Sequence, residues 1–70
     1  MDYSALLSND QKRSILEQRI AQFASEAYQH QLNKEVGKDD PAVVQAADDA
    51  LLILDNAITV HQEELGKLSL

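Results

Sequence analysis

Seventy residues with no cysteine, one proline and a net charge of −6 make at most one domain, with no disulfide framework and no thiol chemistry. The charge is uneven: residues 1–37 carry five acids and four bases, whereas residues 38–70 carry seven acids and two bases. Lys12, Arg13, Arg19 and Lys34 are too few and too spread to form a phosphate-neutralising stripe, so nucleic acid is not an expected partner.

Residues 1–8 read as an N-terminal arm, with Tyr3, Leu6 and Leu7 available to dock on the helices. The opening segment lacks a basic stretch followed by an apolar core, and no run approaches 18 apolar residues, so neither a secretory signal nor a membrane span is expected. A cytoplasmic location is expected, in a host cell or a virion if the chain is phage-encoded.

Ser8 and Gln11 spell a capping box, with Asp10 in the first turn near the positive end of the helix dipole. A helix is predicted over 9–36. Its apolar stripe, Leu16, Ile20, Phe23, Ala24 and Ala27, spans about 100°, with Tyr28 and Leu32 at its edge. Gly37 suits a left-handed position ending that helix, and Asp40 before Pro41 is an N-cap with proline at N1 of the next. The turn is placed at 37–40 and the second helix at 41–68. So short a connection makes the helices antiparallel neighbours, giving an all-α fold, an antiparallel helical hairpin over 9–70.

The second helix carries the clearest periodicity in the chain. Val44, Ala47, Leu51, Leu54, Ile58, His61, Leu65 and Leu68 alternate steps of three and four, a heptad seam for a neighbouring helix. If the turn is centred near 38 or 39, facing residues have numbers summing to about 77. That places Leu16 near His61, Ile20 near Ile58, Phe23 near Leu54, Ala27 near Leu51 and Lys34 near Val44. Two further apolar rows flank the seam, Ala46, Ile53 and Val60, and Val43, Ala50 and Ala57. They widen the apolar arc to roughly 160°, more than one neighbour covers. These six residues are the expected interface of a homodimer that forms a four-helix bundle. Leu52 lies almost opposite, among Asp48, Asp49 and Asp55.

His61 is the one polar member of the seam. It reads as a histidine near the open end of the hairpin, reaching water or bonded to Glu17 or Glu64; the alternative is a pH-responsive core residue whose protonation would loosen the bundle. Glu26 with His30 and His61 with Glu64 do not reproduce the paired Glu-x-x-His spelling of a di-iron bundle, so no metal and no other cofactor is expected. The serines lack a base at a recognised spacing, and Gly37 and Gly66 are isolated, so neither covalent catalysis nor a phosphate-cradling loop is expected.

The layout is similar to the small hairpin phosphatases that act on aspartyl-phosphate regulators. Their Ser-x-x-Leu-Asp signature would need serine where Leu51 precedes Leu54 and Asp55, so that activity is not implied. Size and architecture resemble plasmid copy-number regulators that dimerise into a four-helix bundle to bind RNA hairpins, without their basic face. The expected function is therefore a non-enzymatic, self-associating adaptor, assembly or regulatory subunit, of a size common among phage and mobile-element accessory proteins. The alternative is an acidic inhibitor or nucleic-acid mimic that uses Asp48, Asp49 and Asp55 to occupy a basic surface on a partner protein.

Overall fold

A computed structural model describes residues 2–69; the outermost residues of the predicted arm (1–8) and hairpin (9–70) lie outside it. A single turn of 3₁₀ helix, Tyr3–Leu6, leads into α1, Asn9–Val36, and α2, Pro41–Leu68. The two helices pack against each other as a hairpin.

Each helix starts where local chemistry satisfies its orphan amides. At α1 the Gln11 amide donates to Ser8 Oγ at 3.1 Å, and the Ser8 amide donates to Gln11 Oε1 at 2.8 Å, closing the capping box in both directions. At α2 the Ala42 amide donates to Asp40 Oδ1 at 3.0 Å, and Pro41, lacking an amide proton, occupies the position where none is needed. The arm has a cap of its own: the amide and hydroxyl of Ser4 both donate to Asp2 Oδ1, at 3.0 and 2.7 Å. Those bonds, the hydroxyl first, hold the Asp2 carboxyl below the ordinary carboxylate range.

Gly37 departs from the sequence expectation. Its φ is −100° and its ψ 23°, not left-handed, and no described residue has positive φ. Space explains the glycine. A Cβ built at residue 37 would stand 2.9 Å from Val43 Cβ and nearer still to Val43 Cγ1. The chain turns so tightly that the start of α2 lies against the end of α1, and only a residue without a side chain fits there.

The seam register also differs from the expected one. Arg19 meets His61, Lys34 meets Asp48 and Phe23 meets His61, pairs whose numbers sum to 80, 82 and 84. Side-chain direction accounts for the offset. Every Cα–Cβ bond in a helix leans toward that helix's N-terminus, so side chains on α1 reach away from the turn and those on α2 reach toward it. In an antiparallel pair both displacements raise the sum of contacting residue numbers. The described contacts are thus displaced from the expected register by three to seven residues, about one to two turns: His61 meets Arg19 and Phe23, and Lys34 meets Asp48 where Val44 was expected.

The core is thin. Among the described residues Ala47 and Leu54 are the buried apolar ones, while Leu16, Ile20, Phe23, Ala27, Val44, Leu51, Ile58, His61 and Leu65 along the same seam are half-buried. Ala24, Tyr28 and Leu32 on α1 are exposed. The molecule is a rod of 48 × 20 × 19 Å with a radius of gyration of 15.6 Å, against about 11 Å for a compact chain of this length. Among the described residues no helix is long and apolar enough to cross a membrane.

Candidate functional site

Two faces of the hairpin compete for attention, one apolar and one acidic. On α2 the flanking rows are only partly covered by α1. Val43, Ile53 and Val60 are 37, 69 and 54% exposed, Ala46 is exposed, and Ala50 and Ala57 are half-buried at the seam's edge. Steps of three and four keep all six on one side of the helix over nearly five turns, a length of about 25 Å. At the turn end this row runs into a shallow groove lined by His30, Asn33, Val43, Ala46 and Ala47. At the open end lies a second groove, formed by Tyr3, Leu7, Ile15, Leu16 and Leu68, with Lys12 and Glu64 at its rim.

The exposed surface is large for so small a chain. It amounts to 5342 Å², whereas a folded monomer of 7.8 kDa ordinarily exposes about 4,400 Å². The surplus, roughly 1,000 Å², is close to the ~800 Å² that each partner contributes to a standard interface.

His61 sits beside this row and is better anchored than the sequence suggested. The Nε–H of Arg19 donates to His61 Nε2 at 2.9 Å, so Nε2 must carry a lone pair. The proton of the neutral ring is then on Nδ1, which donates to the Ala57 carbonyl at 2.6 Å. Phe23 meets the imidazole edge-on at 5.0 Å, and the Arg19 guanidinium lies 5.4 Å from the Phe23 ring centre. Neither Glu17 nor Glu64 is the partner; Glu64 instead accepts from Lys67 at 2.9 Å, which raises the Lys67 pKa. Arg19 was legible only as one of four scattered bases. Its role follows from the register offset, which brings it level with His61.

The three aspartates lie within an arc of about 120° on α2, and two of them already have partners. Asp48 and Asp55, two turns apart, share a side of α2, while Asp49 is rotated about 100° from Asp48. Asp48 is paired with Lys34 at 2.8 Å, and Asp49 accepts from the Gln45 amide at 2.8 Å. All three aspartates are exposed, as is Leu52 at 63%. Among the described residues no three His, Asp or Glu side chains gather in a cluster that could hold a metal ion. The arrangement offers packing surface more than it offers chemistry. No family model, curated protein or solved structure matches the chain.

Proposed function

We propose that the chain is a non-enzymatic helical interaction subunit, working as an adaptor, assembly or regulatory component, that self-associates into a four-helix bundle. The observation carrying this reading is the apolar row in which Val43, Ala46, Ile53 and Val60 are exposed and Ala50 and Ala57 half-buried, on a rod with about one interface's worth of surplus surface. Burying that row at ~25 cal/mol per Å² is the cheapest way for a chain with so thin a core to gain stability. A cell interior or a virion is the proposed setting, because nothing in the chain braces it by cross-linking.

Light scattering on the wild type and Ile53→Asp tests the reading. A charge in the centre of the row should leave the helices intact and halve the mass; a wild type that stays monomeric at high micromolar concentration overturns it. The acidic-inhibitor reading takes second place, because Asp48 and Asp49 are already engaged within the hairpin. A pull-down across a salt series separates the two: steep loss of capture with salt supports acidic recognition, and salt-insensitive capture supports the apolar row.

A further inference from the structure

We infer that the two copies pair their α2 helices antiparallel, with Val43 of one chain opposite the partner's Val60. This rests on the self-association proposed above and specifies its geometry. The six residues of the row, four exposed and Ala50 and Ala57 half-buried, fall into two columns of heptad spacing, Val43, Ala50 and Ala57, and Ala46, Ile53 and Val60. In an antiparallel pair each column packs against the opposite column of the neighbour, so the permitted registers differ by seven residues. One of them sets Val43 against the partner's Val60, Ala50 against the partner's Ile53, and Ala57 against the partner's Ala46. All six residues of each chain are then covered.

Sliding the helices by seven in one direction sets Ala46 against the partner's Glu64 and Val43 against the partner's Lys67. Sliding them the other way sets Ala57 against the partner's Asp39, in the turn. Both shifts lose apolar layers and desolvate charge. A parallel pair would also cover the row, but it stacks Ile53 on Ile53 between layers of alanine on alanine, leaving a bulge flanked by gaps. Parallel pairing would also bring the two Asp39-Asp40 turns to one end and align the two α2 dipoles side by side. The antiparallel register instead offsets each Ile53 with an alanine and separates the acidic turns. Asp49, on the flank, comes level with the partner's Asn56, without opposing like charge.

The chain has no cysteine, so single-cysteine variants report pairing without background. In the inferred dimer, Val43 and the partner's Val43 are about 25 Å apart, far beyond the ~7 Å limit for a disulfide, while Val43 and the partner's Val60 are adjacent. V43C and V60C are purified separately, mixed under reducing conditions, then oxidised and run on a non-reducing gel, with light scattering on the same samples. The expected result is a covalent dimer in the mixture and none in either variant alone. Cross-linking of either variant by itself overturns the antiparallel geometry. A46C with A57C gives the same test should V43C or V60C lose helicity. A dimer by light scattering that neither mixture cross-links overturns the register and leaves self-association standing, whereas a monomer by light scattering overturns both.

Discussion

The two glycines should answer alanine with opposite signs. At Gly37 the added methyl would stand 2.9 Å from Val43 Cβ and closer to Val43 Cγ1, where ordinary contacts are 3.4–4 Å. Something must move by about 0.5–1 Å, and overpacking of that kind costs about 1–3 kcal/mol. The backbone angles, φ −100° and ψ 23°, are open to alanine, so the loss of unfolded-chain entropy returns about 0.4–1 kcal/mol. The net destabilisation expected of Gly37→Ala is about 0.5–2 kcal/mol. At Gly66, inside α2, nothing lies within 4 Å of the added Cβ, and alanine should stabilise by about 0.5–1 kcal/mol through helix propensity.

In a chain this small each kcal/mol shifts the melting temperature by about 4–8 °C, so thermal unfolding followed by circular dichroism resolves both effects. Val43→Ala closes a double-mutant cycle. It removes the Cγ1 that the new methyl meets, so it should cost about 0.5–1.5 kcal/mol less in the Gly37→Ala background than in the wild type. Every member is run at one protein concentration so that Val43's place in the proposed interface enters both arms of the cycle equally. Gly37→Ala melting at or above the wild type, with no coupling to Val43, would refute the close-approach account of this turn.

Leu54→Ala, at a buried seam position, should cost about 2–4 kcal/mol and leave little folded hairpin at dilute concentration, read by chemical denaturation. Ser8→Ala removes half of the capping box and should cost about 1 kcal/mol, with the loss concentrated in hydrogen exchange of the first turn of α1. The folded Asp2 carboxyl titrates below its unfolded value, so the arm's cap is fully present above the ordinary carboxylate range. It is lost as pH falls through the lower folded value, and the Ser4 amide should lose its protection relative to the intrinsic exchange rate there, with no such step in Asp2→Asn. Nitrogen-15 shifts of the His61 ring at neutral pH should show a proton on Nδ1 and a lone pair on Nε2; a ring protonated on Nε2 would contradict the Arg19 hydrogen bond.

Much of the hairpin could be read from local signals. The Ser8–Gln11 capping box, Asp40 before Pro41, and the heptad from Val44 are each short-range patterns with a single structural meaning, and the helices occupy the spans they mark. What escaped was anything depending on how side chains lean and how closely backbones approach. A turn centred near 38 predicts opposing backbone levels, but contacts are made by side chains tilted toward their own N-termini, so Arg19, and neither Glu17 nor Glu64, became the hydrogen-bonding neighbour of His61. Gly37 likewise reads as a helix terminator from the sequence, because nothing in one dimension shows Val43 folding back over it. The width of α2's apolar arc was legible; that Val43, Ile53 and Val60 lie uncovered on the folded hairpin was visible only once α1 had taken its place.

Sedimentation equilibrium of the wild type beside Ile53→Asp, from about ten to several hundred micromolar, addresses the proposal that this row joins two copies. The expected outcome is a wild-type mass twice the 7.8 kDa of one chain and a single-chain mass for the variant, with the helical circular dichroism of both preserved. A wild type that remains at 7.8 kDa throughout, or a variant that dimerises as well as the wild type, would contradict it.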